Sequence, residues 1–548
     1  MKSFIQKLIK IPIRESINQH LDRIDSLNDF DNLAALEKIT QYLSTFSTNT
    51  SIPDELRLEL LSNIDERYRE RIQHTISHYA KFDKLNPNIE SRLYEVAFYY
   101  CRQLFLNYQN LIDSYANTFD SSKLSINGQN LQMIIGRSIN AAAAMLKLRY
   151  FNHLATPSAI WLQIYHQFGI AEQRNLVNQP VQIYNDRDSA TLSAIFVQAC
   201  MMDSLNKTSM NRQHIELISD LLIKLVHKIK VAQIYDENKH LFFIDLSKDV
   251  GAKRIRGYHP SPTHRYWEID SLSIKIELIL YALKNNKPLT SFNLGSLSDD
   301  PSFEESINYL HTEWSRPGYK RQRRKEPRKK IKQTAKVAYG IEMLCEQISS
   351  YKGSPLSSFE TQKAQIFEER LAAHKVSNLS KTILLPYKTE GEWTITDEST
   401  QGYGALVSRD NGFVAKPNKI VGLVFEQNEN IVIGVIKSVA GLPNNEKHIG
   451  IQVLSRKSEW IRMVKIDQQL PDNVTQSVSI KPNFGFSGIY LPPQEGLNEL
   501  ASIILPKFNF RENSTYEVSL LDKKFVIRVE NAAEAKDDWV RISFKGEF

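Results

Sequence analysis

The spacing of apolar residues changes part-way along this 548-residue chain, and that change restricts its possible folds more than any other feature. Up to about residue 235, apolar residues recur every three or four positions, as in LYEVAFYYCRQLFLNYQNLIDSYA and QHIELISDLLIKLVHKIKV, which predicts amphipathic helices. Further on, short segments with a period of two, such as YGALVSR and KHIGIQVLS, are separated by turn residues and predict antiparallel strands. The sequence therefore predicts a multidomain α+β protein that begins with an α-helical array.

Four regions follow from this division. We expect an α-helical domain at residues 1–235 and a mixed α/β connecting region at residues 236–315. Within the connecting region, HLFFIDLS predicts a buried strand, KRIRGYHPSPTHRYWEIDS predicts a loop, and LSIKIELILYALKNN predicts a helix. A small antiparallel β-barrel is expected at residues 316–467, with a helical insertion at about 343–385. Its first strand is predicted at AKVAYGIEML and its last at WIRMVKI. A second small β domain is expected at residues 468–548.

Positive charge is concentrated in one short segment. The chain has 69 Lys and Arg against 62 Asp and Glu, a formal net charge of +7. Residues 316–337 contain eleven Lys or Arg and a single acid, Glu326, so they carry +10 and the rest of the chain carries −3. A general nucleic-acid surface spreads its charge more widely. The distribution favours one localised anion-binding segment, with a nucleic-acid arm as the alternative.

Sequence motifs of common catalytic and metal sites are absent. There is no GxxxxGK[ST] loop, dinucleotide-binding glycine fingerprint, HExxH or GxSxG. His259 and His264 lie five residues apart with no cysteine nearby, which is a weak metal signal. Cys101, Cys200 and Cys345 have no CxxC partners, which indicates a reducing compartment and a cytoplasmic protein, and no segment approaches the roughly 18 apolar residues of a membrane span. We therefore expect a binding protein with no enzyme activity, metal, cofactor or membrane span.

Two short motifs flank the first predicted barrel strand and its insertion. An RxxxR motif with one further arginine ahead of it lies in the basic segment, and a DxSxxG motif follows after the sixty-eight residues 329–396. Pro327 disfavours a helix at the residue before it, so the arginines are expected on an extended or turning arm. The residues that form these motifs are Arg323, Arg324, Arg328, Asp397, Ser399 and Gly402.

Together with the apolar strand pairs after DxSxxG, these motifs resemble the PilZ domain, a bacterial receptor module for cyclic di-GMP. The resemblance covers residues 316–467, and the layout of the whole chain is similar to that of large FimW-type receptors, which have a long N-terminal region and a PilZ module near the C-terminus. It implies that the six motif residues bind cyclic di-GMP, and that the protein acts in surface attachment and type IV pilus function. No GGDEF or EAL signature is present, so the chain is expected to read this second messenger and neither make nor degrade it.

The chemistry of the motif residues agrees with such a ligand, which has two phosphates and two guanines. Arginine binds phosphate or the guanine Hoogsteen edge with two parallel hydrogen bonds and stacks on bases. Asp397 and Ser399 have short side chains that can bond a guanine edge, and Gly402 allows a backbone conformation or a close approach that a Cβ would block.

The position of RxxxR between two predicted domains indicates how the ligand would signal. Residues 320–332 repel one another and have almost no apolar side chains, so we expect this arm to be mobile until ligand orders it. Ordering would change the orientation of the flanking domains and present the helical region to a protein partner. The partner and the oligomeric state stay open, and so does the effect of the long insertion on the pocket.

Two other functions stay open. The first is a PilZ-like barrel that binds only protein, as a scaffold. The second is a nucleic-acid binder that uses the basic arm, although Tyr319 alone is near it for base stacking and no DNA partner is expected. Ligand number is also open, because cyclic di-GMP binds as a single molecule or as an intercalated dimer, and Arg321 or Arg323 ahead of the motif would favour the dimer.

Overall fold

The computed structural model divides the chain into two compact units, Met1–Gln322 and Arg323–Phe548. Apart from a few single residues before residue 23, it describes residues 32–48, 52–82, 86–116, 128–226, 229–256, 260–315, 326–351, 391–408, 415–425, 430–442, 446–466, 485–498, 500–520 and 523–546.

The first unit consists mainly of α-helices, as its three- and four-residue apolar spacing predicts. The described helices are α1 (Asn32–Thr48), α2 (Asp54–Lys81), α3 (Pro87–Ala116), α4 (Gly128–Phe151), α5 (Ile160–Gln173), α6 (Leu192–Ser204), α7 (Arg212–Leu225), α8 (Asp270–Lys284) and α9 (Phe303–Trp314). Local caps set where two of them begin. The side chain of Thr191 accepts a hydrogen bond from the Ala194 amide at 3.1 Å, and that of Asn211 accepts one from the His214 amide at 2.8 Å.

A buried ionic network crosses the core of this unit. Arg137 on α4 donates from Nε to the carbonyl of Ile183 at 2.6 Å and from Nη2 to Glu66 Oε1 at 2.5 Å. Asp65 accepts a hydrogen bond from the Tyr108 hydroxyl at 2.7 Å. Burial raises the pKa of Asp65, and the nearby Arg137 guanidinium opposes that shift. Such a network requires each buried charge to keep its partners.

The connecting region contains more strand than its sequence predicts. Two short strands, β1 (Pro180–Val181) and β2 (Ala190–Thr191), pair within the helical region, and a four-stranded sheet follows. Its strands, in the order β3, β6, β4, β5, are β3 (Val231–Ala232), β4 (His240–Asp245), β5 (Lys253–Arg254) and β6 (His264–Glu268). The strand at HLFFIDLS and the helix at LSIKIELILYALKNN are confirmed as β4 and α8.

The prediction of a loop at KRIRGYHPSPTHRYWEIDS is wrong at both of its ends, which form β5 and β6. Pro260 and Pro262 suggested a loop over the whole segment. Both lie before the first residue of β6, so they remove no hydrogen bond from the sheet. Tyr266 and Trp267 in β6 are buried, and such aromatic residues are typical of strands.

The second unit begins with a closed six-stranded antiparallel barrel. Its strands are β7 (Lys329–Tyr339), β8 (Glu392–Ser399), β9 (Gly402–Ser408), β10 (Ile420–Phe425), β11 (Val432–Gly441) and β12 (Glu446–Ser455). Around the barrel they pair in the order β10, β11, β12, β9, β8, β7. Alternate residues such as Trp393 and Ile395 fill the interior, which is the packing that a period of two dictates.

The first strand of this barrel, β7, begins six residues before AKVAYGIEML and ends five residues before the end of that segment. It ends at Tyr339, where Gly340 takes a positive φ of 82°, and helix α10 (Ile341–Tyr351) follows. Glycine reaches this left-handed conformation at little cost, so it lets the chain change from strand to helix. The predicted helical insertion thus begins as α10, while residues 352–390 lie outside the described residues.

A second closed six-stranded barrel completes the unit. Its strands are β13 (Glu459–Lys465), β14 (Phe486–Leu491), β15 (Ser502–Pro506), β16 (Thr515–Leu520), β17 (Lys523–Ala535) and β18 (Trp539–Lys545). The segment WIRMVKI was expected to end the first barrel, but it forms β13 and pairs with β14 and β16. The first barrel closes without it, because β12 already pairs with β11 and β9 on its two edges.

The two barrels share an apolar interface. Leu344 and Ile348 of α10 belong to one buried cluster with Ile489 and Trp539 of the second barrel. The Trp539 indole donates to the carbonyl of Asn418, between β9 and β10, at 3.0 Å. Both barrels and α10 therefore form one packed body within this unit.

Candidate functional site

The RxxxR and DxSxxG motifs meet at the start of the first barrel. Strand β7 pairs with β8 so that Lys329 lies opposite Glu398 and Lys330 opposite Asp397. This register brings Arg328, one residue before β7, beside the end of β8. Residues 316–325, which include Arg323 and Arg324, lie outside the described residues.

Arg328 and Asp397 form a direct ion pair. Arg328 Nη1 donates to Asp397 Oδ1, and the two side chains are 18% and 22% exposed. A charge-assisted hydrogen bond with this partial burial is stronger than an exposed surface pair. The structure therefore brings together one residue of RxxxR and the first residue of DxSxxG.

The rest of DxSxxG forms the hairpin turn between β8 and β9. Ser399 lies opposite Gly402 across the two-residue turn, and its hydroxyl donates to the Gly402 carbonyl at 3.3 Å. Thr400 and Gln401 at the tip are exposed. The motif thus presents its carboxylate and hydroxyl beside a tight backbone turn.

Close backbone approach explains Gly402. A Cβ at this position would lie 2.5 Å from the carbonyl oxygen of Ile451 on β12, and 3.5 Å from Arg328 Nη2. A glycine at position 402 therefore allows β9 to lie against β12 and the Arg328 guanidinium to lie over the turn.

Gly404 was missed by the sequence reasoning. A Cβ there would collide with the carboxylate of Asp397, so this glycine makes room for the side chain that Arg328 binds. The pair of glycines at alternate positions of GYGA, on one face of β9, is a sequence signal that points to this position.

A second arginine at the site was also missed. Arg456 follows β12 and donates from Nη2 to the carbonyls of Ser399 at 3.1 Å and Thr400 at 3.4 Å. Its Nη1 donates to the Tyr403 hydroxyl, and its guanidinium carbon lies 5.1 Å from the centre of the Tyr403 ring. No local motif marks Arg456, because it reaches the turn through the register of β12 and β9.

The assembled site suits a ligand that has both negative charge and a hydrogen-bonding edge. Two guanidinium groups lie against one hairpin turn, and the exposed Lys329 and Lys330 extend the positive charge along β7. The carboxylate of Asp397 adds an acceptor beside them. Cationic donors next to an acceptor of this kind can bind phosphate and the edge of a purine base.

The described residues offer little for other chemistry. They contain no group of three or more His, Cys, Asp or Glu that could hold a metal ion, and His259 of the weak histidine pair is outside them. None of the helices in the described ranges is long and apolar enough to cross a membrane.

Comparison with known proteins bears on the helical region. The family model described as "Cyclic-di-GMP receptor FimW, N-terminal domain" matches residues 17–234. Comparison with curated proteins finds no match. Among solved structures, "Structure of K. pneumonia MrkH in its apo state" matches 29% of this chain and 75% of that chain, at 8% identity and a TM-score of 0.12, which is too low to support any argument.

The family match falls where the sequence carries no recognisable motif, and away from RxxxR and DxSxxG. It covers helices α1 to α7, whose apolar spacing indicated an α-helical array and no named family. The resemblance to FimW-type receptors that the layout of the chain suggested is thus confirmed at residues 17–234, which are similar to the N-terminal domain of the cyclic di-GMP receptor FimW.

Proposed function

We propose that this protein is a receptor for cyclic di-GMP that binds its ligand at the turn of the first barrel, through a PilZ-type site. The observation that carries the proposal is the pair between Asp397 and Arg328 of the basic segment, beside the turn from Ser399 to Gly402. The similarity of residues 17–234 to a domain of cyclic di-GMP receptors supports it independently.

The contacts suggest how such a ligand is held. Arg328 has five N–H donors, and one on Nη1 bonds Asp397. The guanidinium faces the turn at Gly402. A phosphate at this turn would compete with Asp397 for the guanidinium, and Asp397 would then accept from the guanine edge. Arg323 and Arg324, which lie outside the described residues, are proposed to bind the second phosphate or the Hoogsteen edge of a base.

The signalling step is proposed to follow from the arm. Ligand neutralises the positive charge of residues 320–325 and holds them against β7 and β8, whereas Arg328 is already paired with Asp397 and Lys329 to Lys332 already belong to β7. The result is a non-enzymatic cytoplasmic effector whose helical region engages a protein partner in surface attachment and type IV pilus function. This downstream role rests on the FimW resemblance alone.

Titration calorimetry on the full chain tests the ligand. We expect saturable binding of cyclic di-GMP, with cyclic di-AMP much weaker because it lacks the guanine edge. Each charge-assisted hydrogen bond contributes about 1.5–3 kcal/mol, so Arg328→Ala should weaken binding by roughly tenfold or more. Asp397→Ala should weaken it as well.

The matched control is Arg528→Ala, which removes the same charge from an exposed position on β17 of the second barrel and should leave affinity unchanged. Absence of heat at tens of micromolar cyclic di-GMP would refute the receptor proposal. Tight binding of single-stranded DNA that falls steeply with salt would favour the nucleic-acid alternative. The fitted stoichiometry separates one bound molecule from an intercalated dimer.

A further inference from the structure

The connection between the two barrels lies directly against the candidate ligand turn. Strand β12 ends at Ser455 and β13 begins at Glu459, so only residues 456–458 join the barrels. Arg456, the first of them, sends its side chain to the turn of the first barrel, while its backbone is held by a loop of the second.

The side chain of Arg456 fixes the conformation of that turn. It donates to the carbonyls of Ser399 and Thr400 and to the Tyr403 hydroxyl, so its planar fork spans both sides of the hairpin. A guanidinium group serves several acceptors at fixed angles, which a lysine ammonium on a flexible stem does not. Arg456 therefore holds the backbone of the turn that carries Ser399.

The backbone of Arg456 is bound to loop 492–498, which follows β14. The Arg456 amide donates to Gln494 Oε1 at 2.9 Å. Gln494 Nε2 in turn donates to the Ser455 hydroxyl at 2.9 Å and to the Lys457 carbonyl at 3.3 Å. One glutamine of the second barrel thus holds the last residue of β12 and the first two residues of the connection.

The same loop contacts the turn by a second path. Gln401, at the tip of the turn, donates to the carbonyl of Gly496 at 3.3 Å. Leu497 packs against the interior cluster of the first barrel. Gly496 has a positive φ of 77°, so the loop backbone is shaped around these contacts.

We infer that Arg456 is a positioning residue for the ligand site, and that loop 492–498 of the second barrel responds to ligand through it. The inference rests on the proposed function and adds a role for the second barrel. Any ligand that moves Ser399 or Thr400 changes the acceptors of Arg456, and the change passes to Gln494. By linkage, the loop also affects ligand affinity.

Calorimetry on the full chain with cyclic di-GMP gives the first test. Arg456→Ala should weaken binding about tenfold, since the bonds that hold the turn are lost although no ligand contact is proposed for it. Arg456→Lys, which keeps the charge, should give an intermediate loss. Arg528→Ala is the matched control and should bind as the unsubstituted protein does.

Hydrogen exchange of loop 492–498 tests whether the loop responds to ligand through Arg456. A purely structural role of Arg456 would not make the protection of the loop amides depend on ligand. In the unsubstituted protein, saturating cyclic di-GMP should slow exchange of the loop amides. In Arg456→Ala at equally saturating ligand, this protection should fall strongly, with only the part that the Gln401–Gly496 contact supports remaining, while protection of β8 and β9 persists. Should Arg456→Ala fail to fold, Gln494→Ala keeps the arginine in place and should lose the loop protection with a smaller loss of affinity.

The outcomes are distinct. Unchanged affinity in Arg456→Ala, or loop protection that the substitution does not diminish, would overturn this inference and leave the receptor proposal intact. Absence of binding by the unsubstituted protein would overturn the receptor proposal and this inference with it.

Discussion

Gly402→Ala tests whether close packing of β9 against β12 holds the candidate site together. The added Cβ would lie 2.5 Å from the Ile451 carbonyl oxygen, about 1 Å less than the roughly 3.5 Å of ordinary contact. The obstacle is backbone and cannot rotate away as a side chain would. Relief therefore requires β9 to move from β12, where Gly402 lies opposite Gln452.

Overpacking of this kind costs about 1–3 kcal/mol. At a cost of about 2 kcal/mol, the melting temperature should fall by roughly 4–8 °C for a unit of this size. Amides of β9 and β12 that exchange through opening of this pair should lose protection by about 30-fold, because every 1.4 kcal/mol corresponds to tenfold. Differential scanning calorimetry and hydrogen exchange with mass spectrometry on the full chain measure the two quantities.

Gly488→Ala provides a matched control within the second barrel. A Cβ there would meet its neighbours at 3.2 to 3.4 Å, which needs a shift of only a few tenths of an ångström. The loss of unfolded-chain entropy on replacing glycine offsets part of that cost, so its stability should change by less than about 1 kcal/mol. If Gly402→Ala left the protection of β9 and β12 as unchanged as Gly488→Ala does, the reasoning from close approach would be wrong.

Two further predictions concern buried groups. Arg137→Met leaves Asp65 and Glu66 without their cationic partner, so it should lower the free energy of unfolding by about 3–5 kcal/mol, as measured by urea titration with circular dichroism. Arg102 is exposed, so Arg102→Met should have little effect, and equal losses in both variants would argue against the buried network. Burial raises the pKa of the Cys101 thiol to about 12 and also raises the pKa of the buried Cys200 and Cys345 thiols, so the native protein should resist Ellman's reagent at pH 8 and react fully in guanidinium chloride; fast labelling of the native chain would contradict this burial.

Much of the architecture could be predicted from local patterns. Apolar residues at three- and four-residue spacing predicted the helices of the first unit, and a period of two predicted strands in the second. The errors occurred where local signals conflict. Prolines near β6 suggested a loop, and the alternation of AKVAYGIEML continued into α10 because Gly340 turns the chain without interrupting the apolar pattern.

Strand membership needed the tertiary structure. The period-two pattern of WIRMVKI is the same whichever barrel it joins, because a sequence pattern defines the face of a strand and not its neighbour. Its assignment to the second barrel follows from the hydrogen-bonding edges of β12, which are already occupied by β9 and β11.

The candidate site divides in the same way. The sequence by itself predicted a set of six residues, because side-chain chemistry and order along the chain are local properties: Arg323, Arg324, Arg328, Asp397, Ser399 and Gly402. Only the fold decided that Gly404 leaves room for Asp397, that Arg456 holds the turn and that Gln494 holds Arg456. With the bond from Gln401 to Gly496, the contacts at this turn join residues up to 95 positions apart, and they exist because closure of two adjacent barrels brings the ends of their strands together.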